Sequence, residues 1–427
     1  MVTRALALRL LVSVLDRHNL LDEAFERVVA GTDLEARDRA FVRRLVTVTL
    51  RRLGQLDAVI GHFLDRPLKG SARRISHILR LGAAQLLFLD TPPHAAVATM
   101  VELAGRERSP ALRRLKALVN AVLRKISREG AALVARQDAA RLNTPDWLWQ
   151  SWQTRFGPAT ARKVAAAILD ETALDLTLHP AADRDALARR LDALTSPTGG
   201  LRLNARGRIS DLPGYHEGLW WVQDAAAALP AQILAPRPGE TVLDLCAAPG
   251  GKTAQIAAAG ARVVAVDQSP RRMARVRDNL QRLGLTADLI AADGAAVPLD
   301  TAVDRVLLDA PCTATGTLRR HPDGKWIKAP ADVAAMADLQ ARLLAAAVDY
   351  LKPGGTLVYC VCSLEAAEGP DQIARLLASG APVERIPVCS REVHGLGEAI
   401  LPEGDIQTLP FHGSGMDGFF ISRLRRL

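Results

Sequence analysis

The sequence predicts a multidomain protein, with an all-α N-terminal domain, a small α+β linker domain, and a C-terminal α/β domain built on a doubly wound parallel sheet. Three observations predict this class. The chain has 427 residues, which is more than one hydrophobic core usually serves. Its front carries apolar residues at helical spacing, and its back alternates short apolar runs with helix-length segments. We expect the domains to span residues 1–140, 141–235 and 236–427.

The composition is typical of a globular protein. Apolar residues make up 49% of the chain and charged residues 24%, which indicates ample core material and little disorder. The apolar N-terminal stretch is interrupted by Arg9 and followed by Asp16, so it predicts an amphipathic helix rather than a signal peptide or a membrane span. We therefore expect a cytoplasmic protein without a membrane partner.

The basic charge is concentrated at the front of the chain. The formal net charge is +9, and residues 1–128 contain 23 Lys and Arg against 12 Asp and Glu, so the remainder is slightly acidic. Clustered cations gain binding free energy by displacing counterions from phosphates. This domain either binds a polyanion or carries its arginines on solvated helix faces, and the charge pattern alone favours neither.

The first two domains differ in their periodicity. From Arg4 to Arg128 the pattern is helical, with breaks at glycine and proline clusters. Its clearest apolar stripe consists of Leu115, Leu118, Val119, Val122 and Ile126. Residues 145–235 combine a helical segment, alternating apolar segments and a turn-rich stretch at 196–200, which predicts the small α+β domain.

Five short apolar runs separated by helix-length segments predict the parallel sheet of the third domain. They are TVLDLC (241–246), ARVVAVD (261–267), ADLIAAD (287–293), VDRVLLD (303–309) and GTLVYCVC (355–362). A glycine-rich turn followed by a final apolar run at 412–424 predicts an additional antiparallel strand at the edge.

The first of these runs leads directly into a loop of small residues, which ends in Lys252 and Thr253. The loop residues are Cys246, Ala247, Ala248, Pro249, Gly250 and Gly251. Such a loop between a strand and a helix lets the backbone approach a ligand closely. A phosphate-binding P-loop would need glycine where Cys246 stands, so the pattern disfavours an NTPase.

Acidic residues end the next two runs. Asp267 stands where a carboxylate characteristically binds ribose hydroxyls, and Asp293 stands one strand further. A ribose acid without a phosphate loop indicates a nucleoside that lacks phosphates, and S-adenosylmethionine is the cofactor that we expect. Each aspartate taken alone is more often a turn or cap residue.

Thiols follow the last two runs. The chain has five cysteines, an odd number without CxxC pairs, which argues against a disulfide framework and a metal site. Asp309 ends the fourth run and starts the motif DAPCTATG, which contains Cys312, and Cys362 ends the fifth run. Neighbouring strand ends would bring Cys312 and Cys362 together at the mouth of a cleft, whereas Cys360 is expected to pack.

Taken together, these motifs resemble the RsmB (Sun, Fmu) family of bacterial rRNA cytosine-5 methyltransferases. The resemblance is carried by DLCAAPGGKT, VD at 266–267, AADG, DAPCTATG, RRHPDGKW and YCVCS, and in the front domain by DRAFVRRL, LRLGAAQLL, PPHAAV and VNAVLR. PGYHEGLWWVQDAAAALPAQIL resembles the junction into that family's catalytic domain. The resemblance implies three domains: a NusB-like helical RNA-binding domain, a linker domain with a role in RNA recognition, and a Rossmann-like class I methyltransferase domain. It also implies that the substrate is RNA, with 16S rRNA favoured.

The resemblance also implies roles for individual residues. Cys362 would be the nucleophile that adds to C6 of cytosine, and Cys312 would assist product release. Asp309 would contact the cofactor and the target base, and it would assist the addition at N3 if its carboxyl is protonated. Residues 246–252 would form the cofactor loop, with Asp267 at the ribose and Asp293 at the adenine.

The segment after Cys312 is rich in cations. We interpret Arg319, Arg320, His321, Lys325 and Trp326 as RNA contacts, with an ordinary solvated basic loop as the alternative.

Three features depart from the family pattern, and three alternatives stay open. Val361 precedes the nucleophile where Thr is usual, Gly369 follows Glu368 where Asn is common, and LDLTLHP at 174–180 replaces a usually basic segment that contains Asn. The same chemistry on a tRNA or 23S rRNA cytosine is the first alternative, although the NusB-like front favours the small subunit. The second is a catalytically idle RNA-binding assembly factor, and a P-loop NTPase is a distant third.

Overall fold

The computed structural model describes residues 1–204 and 207–427. They form two compact units. The helical unit comprises Met1–Asp170 together with Leu318–Lys328, and the sheet unit comprises Glu171–Thr317 together with Ala329–Leu427. The three-domain division expected from the sequence stays a prediction.

The helices and strands follow one another in the order that the sequence periodicity suggests. Helices α1–α17 are Val2–Leu15, Leu21–Val29, Ala36–Arg51, Leu53–His62, Arg73–Leu87, Pro93–Gly105, Pro110–Arg113, Lys116–Val134, Ala139–Leu142, Asp146–Ala167, Arg184–Leu191, Ala225–Leu234, Gly251–Ala258, Pro270–Leu283, Gly324–Ile327, Pro330–Asp349 and Pro370–Ala378. Strands β1–β12 are Leu174–Leu178, Leu194–Thr195, Leu201–Leu203, Trp220–Val222, Thr241–Leu245, Arg262–Asp267, Asp288–Ala291, Val303–Asp309, Leu351–Val361, Val383–Arg385, Ile406–Gln407 and Phe420–Arg426.

The helical unit is held together by the apolar faces of its longer helices. Helix α8 buries Val119, Val122 and Ile126, and it leaves Arg124 and Lys125 exposed. This is the apolar stripe predicted from the sequence. The same core includes residues of α1, α3, α5 and α6. Among the described residues, no helix is both long enough and apolar enough to cross a membrane.

The segment Leu318–Lys328 is part of the helical unit's packing. Lys325 is 1% exposed and donates from Nζ to the carbonyl of Arg51, while the indole of Trp326 donates to the carbonyl of Leu50. The buried carboxylate of Asp323 accepts from the backbone N–H of Leu21. The prediction of RNA contacts is therefore wrong for Lys325 and for Arg319, which is also buried. The Lys325 amine donates inside the fold, and both side chains are withdrawn from solvent.

The sheet unit contains the predicted doubly wound sheet, with strand order β10-β12-β9-β8-β5-β6-β7. Strands β9, β8, β5, β6 and β7 are parallel and coincide with the five predicted runs. Strand β12 is antiparallel to β9, as predicted, but it is not the edge because β10 and β11 pair with it. The predicted α/β class is confirmed.

A second, smaller sheet precedes the large one in the sheet unit. Its strand order is β2-β3-β1-β4, all antiparallel, and it packs a small core that contains Leu187 and Leu191 of α11. This arrangement is the α+β fold predicted for the middle of the chain.

Candidate active site

The candidate site lies at the carboxyl ends of four neighbouring parallel strands, β9, β8, β5 and β6. Parallel strands end at the same edge of a sheet, and open α/β sheets bind ligands there. The strands themselves are mostly buried apolar runs, so the candidate residues are the polar side chains at the last position of each strand or in the loop that follows it. Those side chains belong to the strand ends and loops predicted from the sequence.

The loop after β5 has the shape that close approach to a ligand requires. Gly250 has φ 101°, and a Cβ there would lie 3.1 Å from Cγ1 of Val276. Helix α13 starts at Gly251 without a side-chain cap, so no side chain occupies the N-terminal N–H groups of this helix. Burial raises the pKa of the Cys246 thiol to about 12, so this cysteine stays neutral in the loop.

Lys252, at the start of α13, forms an ion pair across to β8. Its Nζ is 2.7 Å from Oδ2 of Asp309, and the Sγ of Cys360 donates to Oδ1 of the same carboxylate at 3.4 Å. Burial alone would lower the pKa of Lys252, but the charge of Asp309 and the nearby thiols outweigh it and raise the pKa above its ordinary value. Lys252 is therefore a cation held against Asp309.

A second carboxyl group lies beneath the loop. Asp244 in β5 is completely buried and accepts a hydrogen bond from the hydroxyl of Thr253 at 2.6 Å. Burial raises its pKa to about 7, although the hydrogen bond from Thr253 opposes the shift. This contact ties the first turn of α13 to the strand.

Asp267 and Asp293 differ sharply in environment. Asp267, at the end of β6, is 3% exposed, and its carboxylate accepts from the backbone N–H groups of Ala248 and Ser269. Asp293 lies after β7, is largely exposed, and pairs with Arg342 at 2.7 Å, which together with the N–H of Ala295 lowers its pKa. Asp267 thus contacts the cofactor loop directly, whereas Asp293 forms an ion pair with a residue of α16.

The two thiols predicted to meet lie in contact. The Sγ atoms of Cys312 and Cys362 are 3.3 Å apart, and both side chains are partly exposed. The hydrogen bond with Cys362, reinforced by burial and by neighbouring negative charge, raises the pKa of Cys312 well above its ordinary value. Cys360 is completely buried, and its sulfur contacts Asp309.

A buried glutamate, Glu368, joins the two thiol loops. Its Oε1 accepts from the backbone N–H of Thr313 at 2.7 Å and from Nε2 of Gln340 at 3.3 Å. Its Oε2 accepts from the hydroxyls of Thr313 and Ser363. Thr313 and Ser363 are the residues that directly follow Cys312 and Cys362.

Sequence reasoning missed three of these connections. Neither the Lys252–Asp309 ion pair nor the Cys360–Asp309 contact follows from the motifs, because strand pairing brings them together across 57 and 51 residues. Glu368 stood out only as a neighbour of an unusual glycine. Within residues 1–204 and 207–427, no cluster of three His, Cys, Asp or Glu side chains is arranged to hold a metal ion.

Family models match both ends of the chain. The model described as "16S rRNA methyltransferase RsmB/F" matches residues 231–425, and the model of the NusB family matches residues 1–128. The first match contains all of the candidate site, and the second covers most of the helical unit.

Individual relatives match over most of the chain. A ribosomal RNA small subunit methyltransferase B from Cronobacter sakazakii is 39% identical over 91% of this chain and 90% of its own length. The protein of that name from Sodalis glossinidius is 38% identical over 99% of this chain and 97% of its own. Among solved structures, a methyltransferase homologue from Pyrococcus horikoshii is 28% identical, with a TM-score of 0.58, over 68% of this chain and 98% of the other.

Proposed function

Because the chain belongs to the ribosomal RNA small subunit methyltransferase B family, we propose that it methylates C5 of a specific cytosine in 16S rRNA through a covalent Cys362 intermediate. The cofactor is S-adenosylmethionine, and the substrate is RNA.

The cofactor loop supports this proposal because its shape fits a nucleoside ligand. Gly250 lets the loop turn in the left-handed region while it packs against Val276, and the N-terminus of α13 has no side-chain cap, so its N–H groups are proposed to face the ligand. Asp267 is proposed to accept hydrogen bonds from ribose hydroxyls, and Asp293 is proposed at the adenine end. When bound, S-adenosylmethionine supplies an electrophilic methyl group on a sulfonium.

The proposed mechanism starts with the thiolate of Cys362. C5 of cytosine is too electron-poor to attack a sulfonium methyl group, so the thiolate first forms a bond to C6. The electron pair displaced from the C5–C6 double bond makes C5 a nucleophile, which takes the methyl group. Removal of the C5 proton then restores the double bond and expels the Cys362 sulfur.

Addition at C6 is easier when N3 of the base receives a hydrogen bond or a proton. The sequence suggested a protonated Asp309 for this task. The ion pair at 2.7 Å with the cationic Lys252 supports a modified role, in which Asp309 holds the Lys252 ammonium and the ammonium donates a hydrogen bond to N3 without losing its proton.

Cys312 is proposed to assist product release as a neutral thiol. Its raised pKa keeps a proton on its sulfur, and its contact with Cys362 lets it stabilise the departing thiolate by a hydrogen bond or by proton transfer. Without Cys312, the C6–S bond would form but break slowly.

The observation that carries the proposal is the contact of two thiols 3.3 Å apart at adjacent strand ends, within one sheet edge that also holds the Lys252–Asp309 pair. A catalytically idle RNA-binding factor would have no need of this arrangement. A thiol pair also has no role in nucleotide hydrolysis, which disfavours a P-loop NTPase.

The test is methyl transfer from labelled S-adenosylmethionine to small-subunit RNA purified from cells that lack this activity. We expect 5-methylcytosine at one position of 16S rRNA, mapped by sequencing. Parallel reactions with tRNA and 23S rRNA discriminate the substrate alternatives. RNA binding without methyl transfer to any of the three would contradict the proposal and favour an assembly factor.

A further inference from the structure

We propose that Glu368 is the positioning residue of the two-thiol site, whose carboxylate fixes the contact between Cys312 and Cys362 by holding the residues that follow both thiols. This inference deepens the proposed function and rests on its two-thiol mechanism. Glu368 lies in a 3₁₀ turn between β9 and α17 and is completely buried.

The contacts of Glu368 are suited to an ionised carboxylate. Four hydrogen bonds reach its two oxygens, and in each of them the partner, on Thr313, Ser363 or Gln340, donates. An ionised carboxylate is an acceptor only, so this set of donors matches that form. Over the described part of the chain, no Lys, Arg or His forms an ion pair with it.

A buried charge of this kind is not explained by stability. Burial of a carboxylate without a cation is costly, and an apolar side chain would fill the same space at a lower free-energy cost. Buried charged groups with dedicated donors are concentrated at functional sites. The position of the donors indicates what this one does.

Glu368 contacts the residue after each thiol, and its neighbour Gln340 contacts the residue before one of them. Nε2 of Gln340 also donates to the carbonyl of Pro311 at 2.7 Å, so the Cys312 loop is held on both sides of the thiol. The hydroxyl of Tyr359 donates to the backbone carbonyl of Glu368 at 2.6 Å, which anchors the turn to β9. One carboxylate therefore fixes the positions of the two loops relative to each other.

The charge of Glu368 also acts on Cys312. The hydrogen bond with Cys362 is the largest cause of the raised pKa of Cys312, followed by burial, and the charges of Cys362 and Glu368 add to it. Removal of the Glu368 charge should lower the pKa of Cys312 and make its sulfur more reactive at neutral pH.

The decisive experiment measures thiol reactivity and needs no RNA, so its outcome is independent of the proposed substrate. Full-length wild type and Glu368→Gln are treated with iodoacetamide between pH 7 and pH 10, and alkylation of each cysteine is followed by peptide mass spectrometry. We expect Cys312 in Glu368→Gln to react about 3- to 10-fold faster at pH 8. An unchanged rate would overturn the electrostatic role.

Gln85→Met provides a control. Gln85 is also completely buried, lies in α5, donates to the carbonyl of Leu81 and accepts from Arg4, both of which belong to the helical unit. We expect this variant to lose thermal stability but to retain wild-type alkylation of Cys312. Faster alkylation in Gln85→Met as well would show a merely structural effect and overturn the proposal.

Kinetics test the positioning role. In Glu368→Gln, kcat for methyl transfer should fall about 30- to 100-fold, while the KM for S-adenosylmethionine changes less than about threefold, because the cofactor loop is untouched.

Glu368→Asp keeps the carboxylate charge but moves it, so its alkylation rate should match wild type while its kcat falls. If Glu368→Gln does not fold, Thr313→Val removes one donor and retains the charge, and kcat should fall about tenfold. Wild-type kcat in the folded variants would refute the positioning role.

Discussion

Two buried lysines, Lys252 in the sheet unit and Lys325 in the helical unit, differ in one respect that decides their charge. Each follows a glycine, each is at most 9% exposed, and each has its Nζ close to an aromatic ring centroid, at 5.2 Å from Phe419 and 5.3 Å from Trp326 respectively. Lys252 pairs with the carboxylate of Asp309, whereas Lys325 donates to the backbone carbonyl of Arg51.

The difference in partner reverses the electrostatic outcome. The pKa of Lys252 is raised because the Asp309 charge outweighs burial, and the pKa of Lys325 is lowered well below its usual value by burial and by the nearby Arg51 and Arg52. Burial alone therefore does not reveal whether a lysine carries charge. The neighbouring carboxylate makes Lys252 a cation of the candidate site, whereas Lys325 has a carbonyl as its partner and is an amine used in packing.

Replacement of each lysine by methionine should give the largest contrast. Lys252→Met removes the cation beside Asp309, and we expect kcat for RNA methylation to fall at least about 100-fold. Lys325→Met should change kcat less than about fivefold, because this amine lies outside the candidate site. Equal losses in the two variants would break the comparison. The measurement is initial-rate kinetics with saturating S-adenosylmethionine.

Asp309→Asn should make Lys252 resemble Lys325. Without the carboxylate, burial acts alone on the amine and its pKa should fall. The pKa is measured by NMR of the reductively 13C-methylated protein, in which the Lys252 signal is assigned by its absence from Lys252→Met. We expect kcat to fall about 100-fold together with the pKa. An unchanged Lys252 pKa would show that another group holds the cation.

The pH dependence of stability should reveal the depressed pKa of Lys325. The folded pKa of Lys325 is depressed, so the unfolded chain binds the additional proton between that pKa and the unfolded value of about 10.4. The unfolding free energy should therefore contain a contribution that rises with pH across this window. Denaturant unfolding between pH 6 and pH 10 should show this rise in wild type and a smaller rise in Lys325→Met. An identical slope would mean that Lys325 is charged in the folded protein.

Trp326→Phe should have the smallest effect. It removes the hydrogen bond from the indole to the carbonyl of Leu50 at 2.7 Å and retains an aromatic ring near Lys325. We expect a loss of about 1 kcal/mol in unfolding free energy and no change in methyl transfer. A loss of RNA binding in this variant would instead support the RNA contact predicted from the sequence.

The two lysines also show which features could be predicted from the sequence. The strands, their order along the chain and the meeting of Cys312 with Cys362 followed from periodicity, because parallel strands end at one edge. The partners of Lys252 and Lys325 did not follow, since each lies on an element distant in sequence. The segment 319–326 has the composition of an RNA-binding loop, yet Arg319 and Lys325 are buried, and composition does not reveal which cations the fold itself uses.

Glu368 belongs to the same class of omission. Its donors come from the loops after two different strands and from α16. Only the folded backbone brings them to one carboxylate, so no spacing in the sequence indicates the role proposed for it.

The measurement that tests the central claim most directly is covalent trapping on RNA. Cys312→Ala, incubated with S-adenosylmethionine and undermodified small-subunit RNA, should accumulate a protein–RNA adduct that survives a denaturing gel, and mass spectrometry should place the bond on Cys362. Cys362→Ala should form no adduct and transfer no methyl group. Activity in Cys362→Ala, or the absence of an adduct in a Cys312→Ala protein that binds RNA, would contradict the division of roles between the two thiols.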